Sequence, residues 1–182
     1  MDRIMLRDDA GTRNGVVWHT QGSGKTITMI MLTKMLLKES MKRNSSIERP
    51  RFIMVTDRVN LDKQIRDNFI NAQMRPNRAK TGKGLIELLK NEENTVITAI
   101  VNKFEAAIKS NYCNESKNIF VFIDEGHRTQ YGKLNLCMDR VLPNAVKIAF
   151  TGTPLIAKPR KNDKRDIKLP KDTFKKFGKL ID

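Results

Sequence analysis

Five short apolar runs, rich in β-branched residues and separated by stretches of helical character, constrain this chain more than any other feature. They are Gly15-Val16-Val17-Trp18, Phe52-Ile53-Met54-Val55, Thr95-Val96-Ile97-Thr98-Ala99-Ile100, Ile119-Phe120-Val121-Phe122-Ile123 and Val146-Lys147-Ile148-Ala149-Phe150. Several are apolar at consecutive rather than alternate positions, the pattern of strands covered on both faces. Helical stretches follow at 26–39, 60–71, 84–90, 103–110 and 134–142. Strand then helix, repeated, predicts an α/β domain: a mainly parallel sheet with helices on both faces. Segments 41–50 and 74–84, polar and carrying Pro50, Pro76, Gly82 and Gly84, read as surface loops.

The first strand runs into Gln21-Gly22-Ser23-Gly24-Lys25-Thr26, and a helix is predicted to open there. Strand, glycine-rich loop and helix is the context of a phosphate-binding P-loop. Gly22 and Gly24 allow a sharp turn and close approach to phosphate. The amides from Gly22 to Thr26 then form an anion nest at a helix N-terminus. Lys25 places an ammonium on the β- and γ-phosphates, and the Thr26 hydroxyl is a hard oxygen ligand for Mg²⁺. The usual first glycine of G-x-x-x-x-G-K-[ST] is His19 here. His19 itself reads as a wall of the site rather than a catalytic base.

A P-loop needs a second, acidic group at the end of a neighbouring strand. The run 119–123 ends in Asp124-Glu125-Gly126-His127. Asp124 is expected to hold Mg²⁺ and Glu125 to polarise the attacking water. His127 and Arg128 are candidates for coupling to a second lobe, His127 having a helix cap as its alternative role. After the last strand, Thr151-Gly152-Thr153-Pro154 forms a small polar turn able to sense the acidic segment, or a plain turn.

Together these segments resemble the first RecA-like lobe of superfamily 2 helicases and translocases. Gly22–Thr26 is similar to motif I, Asp124-Glu125-Gly126-His127 to motif II (the DEAD/DEAH box, with Gly126 where Ala is usual) and Thr151-Gly152-Thr153 to motif III. Val55-Thr56-Asp57-Arg58, with Leu61 and Gln64, is similar to motif Ia. Thr98-Ala99-Ile100 with Lys103-Phe104 is similar to motif Ib, Ala99 standing where Thr is more often seen. The resemblance implies that Thr56, Arg58 and Thr98 touch nucleic-acid phosphates, contacts that position a strand without reading its sequence. A narrower likeness, to the motor region of type I restriction endonuclease R subunits, covers nearly the whole chain. Its specific parts are Trp18-His19-Thr20-Gln21, leading into the loop, and Arg128-Thr129-Gln130-Tyr131-Gly132, after the acidic box.

That resemblance implies an ATP-hydrolysing motor lobe with ATP and Mg²⁺ as ligands and double-stranded DNA as track. The implied partners are a second RecA-like lobe, a nuclease domain, and the modification and specificity subunits of a restriction complex. Residues 1–14 read as a lead-in, 15–157 as the lobe and 158–182 as a basic linker toward a second lobe. No nuclease core is legible before the P-loop, so this stretch alone is expected neither to cut nor to translocate DNA. Three other readings stay open: an RNA or DNA helicase lobe of another superfamily 2 member, a nucleotide-gated binding module without translocation, and a truncated, inactive remnant that folds but binds little.

Composition fits. Thirty-five Lys and Arg against 20 Asp and Glu give a net charge of +15, suited to a polyanionic partner. The most apolar stretch, 27–37, is broken by Thr28, Thr33 and Lys34 and is short of the ~20 residues that span a bilayer. The N-terminus lacks the apolar core of a secretory signal. Cys113 and Cys137 form neither a CxxC nor a metal-ligand spacing, so a reducing cytoplasm is expected. The basic segment 158–182 either lies on DNA phosphates or is a solvated linker. Deleting it weakens DNA binding and flattens the salt dependence in the first case; an unchanged salt slope assigns it to the linker.

Overall fold

A computed structural model describes residues 14–20, 22–124 and 131–152. Six strands form one sheet: β1 (Gly15–Trp18), β2 (Arg51–Thr56), β3 (Asn77–Arg78), β4 (Val96–Ile100), β5 (Ile119–Asp124) and β6 (Val146–Thr151). Five helices connect them: α1 (Lys25–Ser40), α2 (Val59–Asn71), α3 (Gly82–Lys90), α4 (Asn102–Ile108) and α5 (Tyr131–Val141). The strand order is β1-β6-β5-β2-β4-β3, and every pairing is parallel. This is the doubly covered α/β sheet expected from the sequence.

Successive side chains of a strand point to opposite faces, and two cores result. One gathers Ile53, Val55, Ile97, Ala99, Val121, Ile123 and Ala149 from the strands, with Leu85 and Leu89 of α3, Phe104 and Ala107 of α4 and Met138 and Val141 of α5. The other gathers Phe52, Met54, Phe120, Phe122, Ile148 and Phe150, with Met29 and Leu36 of α1 and Ile65 and Phe69 of α2. In that second core the rings of Phe52 and Phe120 stack at 5.5 Å, and Phe122 and Phe150 meet, tilted, at 5.5 Å.

One strand departs from expectation. β3 lies inside the predicted loop 74–84. It is a two-residue polar edge, Asn77-Arg78, with no apolar run to announce it. Its anchor is electrostatic: Arg78 Nε lies 2.7 Å from Oδ2 of Asp62, a carboxylate on α2 that is 1% exposed. The expected boundary at residue 158 falls outside the described residues.

Arg51 opens β2, is 6% exposed, and gathers the end of α3 beneath it. Its guanidinium donates to the carbonyls of Leu88 (2.8 Å), Leu89 (2.9 Å), Asn91 (3.0 Å) and Asn94 (3.2 Å). Carbonyls at a helix C-terminus lack intrahelical donors, and a cation there also complements the helix dipole. Burial lowers the Arg51 pKa from its ordinary value, yet a guanidinium stays protonated throughout the working range. Arg51→Ala removes a charged donor from four carbonyls, three of which keep a bond from the Asn94 or Asn114 amide, and is expected to cost about 2 kcal/mol in denaturant unfolding. Arg51→Lys is expected to recover only part of that, because one ammonium cannot reproduce the planar fork.

Candidate nucleotide site

The sequence places two glycines where the backbone turns left-handed. Gly22 has φ 81° and Gly24 φ 88°, the region where a side chain is strained. A Cβ built on Gly22 would meet nothing within 4 Å, so open space lies over the loop. Gly24 caps α1 with no side-chain acceptor, and no acidic residue lies in the first turn. The amides and partial positive charge of a 16-residue helix therefore face the loop with no carboxylate of that first turn to neutralise them. This cradle fits a phosphate group. Lys25 and Thr26 follow at once and are half-buried. Ser23 N–H donates to Thr20 O (3.2 Å), and Ser23 Oγ–H to the same carbonyl (2.6 Å), which closes the turn.

The strand order sets what stands opposite. β6 lies between β1 and β5. The loop after β1 and the acidic end of β5 are thus two strand spacings apart, about 10 Å at their roots. Asp124 ends β5 and is 6% exposed. Thr151 ends β6, fully buried, between the two. Thr26 and Asp124 carry the hard oxygens that could hold a divalent ion between the loop and β5. Of the residues expected here, Gln21, Glu125, His127, Arg128 and Thr153 lie outside the described residues.

Of the residues expected at nucleic-acid phosphates, two carry buried side chains. Thr56 and Thr98 are each 1% exposed. Thr56 Oγ–H donates to Arg58 O (3.3 Å), and Thr98 sits within β4 beside Arg78 of β3, so neither hydroxyl is presented to a strand lying outside. Arg58 does reach solvent, its side chain 63% exposed. The same carboxyl edge carries Lys80 and Lys83, both exposed, and half-buried Lys103. α3 and α4 approach so closely there that a Cβ on Gly82 would fall 2.2 Å from Cβ of Ala106 and 3.2 Å from the carbonyl of Lys103. Neither Lys80 nor Lys83 belongs to a motif; their only signal in the sequence is the basic composition of a segment that reads as plain loop.

Comparison with known proteins agrees with this geometry. A family model described as SWI2/SNF2 ATPase matches residues 1–182, the full chain. The chain belongs to the SWI2/SNF2 ATPase family. Within superfamily 2, this SWI2/SNF2 lobe is near the type I restriction R subunits. It is 35% identical over 172 residues to a putative type I restriction enzyme endonuclease subunit, MjaIXP, of Methanocaldococcus jannaschii, covering 93% of this chain and 15% of that protein. It is also 35% identical over 199 residues to the HindI type I restriction enzyme endonuclease subunit of Haemophilus influenzae, covering 98% of this chain and 17% of that one. The chain thus spans about a sixth of the length of these relatives. In fold it is similar to the Hef helicase domain of Pyrococcus furiosus, with a TM-score of 0.60 and 17% identity, covering 91% of this chain and 33% of the other.

If the cradle binds triphosphate, Lys25→Ala removes a charge-assisted contact of about 1.5–3 kcal/mol. Calorimetric titration of Mg-ATP is then expected to show affinity falling roughly 10- to 100-fold.

Proposed function

We propose that this SWI2/SNF2 lobe is the ATP-hydrolysing half of a DNA translocase motor of the type I restriction R-subunit kind. The observation that carries the proposal is the pairing of an uncapped helix N-terminus behind two left-handed glycines with a buried aspartate two strands away. In this reading the loop amides and Lys25 hold the β- and γ-phosphates. Thr26 and Asp124 would hold Mg²⁺, whose charge, when bound, would offset that of the phosphate oxygens. Glu125 orients the water for in-line attack. His127, Arg128, Thr151 and Thr153 relay the state of the site to a second RecA-like lobe, which belongs with a nuclease domain and with modification and specificity subunits in the assembled enzyme.

Duplex DNA is the proposed track. Support comes from the net charge of +15 and from Arg58, Lys80, Lys83 and Lys103 along one edge of the sheet. In the proposed plan 1–14 is a lead-in, 15–157 the lobe and 158–182 a basic linker. A cytoplasmic location fits two free thiols, Cys113 and Cys137. Among the described residues, no helix is long and apolar enough to cross a membrane.

Competition binding tests the track. Duplex DNA is expected to displace single-stranded RNA, and preference for the RNA would sink the restriction-motor reading. Replacing Arg58, Lys80 or Lys83 by Ala is expected to lower the salt slope by about 0.9 for each phosphate that is no longer neutralised, measured as affinity against salt concentration.

A further inference from the structure

We infer that Trp18 and His19 are positioning residues that tie the tip of the phosphate loop to the Thr151–Gly152 turn, so that nucleotide held by the loop is registered at the end of β6. The inference rests on the nucleotide reading of the loop. It adds a route out of the site that the phosphate, metal and water contacts do not include.

Three hydrogen bonds build the tie. The β1–β6 ladder ends with Trp18 opposite Thr151. Beyond it, His19 N–H donates to Thr151 O at 2.9 Å, and the Trp18 indole Nε1–H donates to Gly152 O at 3.2 Å. On the loop side, His19 Nδ1 lies 2.8 Å from Ser23 Oγ. The direction of that bond follows from proton counting. Ser23 has one hydroxyl proton, and it is spent on Thr20 O at 2.6 Å. Ser23 Oγ therefore accepts, and His19 Nδ1 carries the proton. One residue thus grips the turn after β6 through its backbone and the loop tip through its ring.

Position makes the tie consequential. Ser23 sits between Gly22 and Gly24, the two residues with least resistance to backbone rotation. Its amide donates to Thr20 O at 3.2 Å, so a phosphate that takes this amide must draw Ser23 off that carbonyl. A shift of this residue on binding pulls on His19, and through His19 on the Thr151 carbonyl. Trp18 is costly where it stands: its side chain is apolar, on an edge strand, and 52% exposed. Its indole N–H, which Phe or Val would lack, gives it a reason to be there. An exposed aromatic that merely covers the strand edge would not need that bond.

Trp18 is also the one tryptophan of the sequence, so its emission reports on the tie directly. The experiment is a titration of Mg-ATP into the 182-residue chain, followed in parallel by calorimetry and tryptophan fluorescence. The expected result is an emission change that saturates at the calorimetric Kd. His19→Phe, which has no donor, is expected to keep measurable heat with about tenfold weaker binding and to lose the emission change. His19→Asn, whose side-chain amide can donate to Ser23 Oγ, is expected to restore it. Heat without an emission change in the unsubstituted chain would overturn the tie and leave nucleotide binding intact. So would a full emission change in His19→Phe. No heat in the unsubstituted chain would instead sink the nucleotide reading, and the tie with it.

Discussion

Burial of both faces of a parallel sheet is the constraint on which the rest of this molecule depends. Parallel strands cannot be joined by tight hairpins, so each connection crosses a face and leaves a helix on it. β2, β5 and β6 are buried at all six positions. With its faces closed, such a sheet offers solvent chiefly its two ends. At the carboxyl end the connections begin and the N-termini of α1, α2, α3 and α4 converge. That end gathers backbone donors and positive potential, the setting in which open α/β sheets bind their ligands.

Strand order then decides which loops become neighbours. β1 and β5 are far apart in sequence, yet only β6 separates them. The phosphate loop, the Thr151 turn and Asp124 therefore stand in a row. The basic edge belongs to the other half of the sheet, after β2, β4 and β3. The proposed nucleotide site and the basic edge share one packed sheet, so the distance between them is set by the strand order. Parallel cores of Phe, Ile and Val pack too densely to be bent continuously.

Much of this was legible in the residues. The five apolar runs became strands within a residue or two at each end, because consecutive burial leaves a hydrophobic signature at every position rather than at alternate ones. The loop was legible because only glycine serves at φ above 80° beside a Lys-Thr pair. β3 was not, since Asn77 and Arg78 carry no apolar side chain; they are held by the ladder to β4, by Asn94 against Asn77 and by Asp62, sixteen residues before Arg78. The burial of Thr56 and Thr98 was illegible for a related reason. A threonine reads as polar in a string of letters, but in a central strand its methyl and hydroxyl are both enclosed. The bonds of Trp18 and His19 to the turn after β6 were illegible because their acceptors, in Thr151 and Gly152, lie more than 130 residues on.

The edge position of β1 has a consequence for how such a chain comes into being. Among the described residues its one strand partner is β6, so the ladder that seats the phosphate loop joins the beginning of the lobe to its end. Contacts of such long sequence separation carry a large loop-closure entropy and form late. β2, β4 and β5 can pair once residues up to 124 have left the ribosome, but β1 must wait for residues 146–151. The proposed nucleotide site therefore waits on the last strand: a chain interrupted before β6 holds a glycine loop whose strand has nothing to pair with among the described strands.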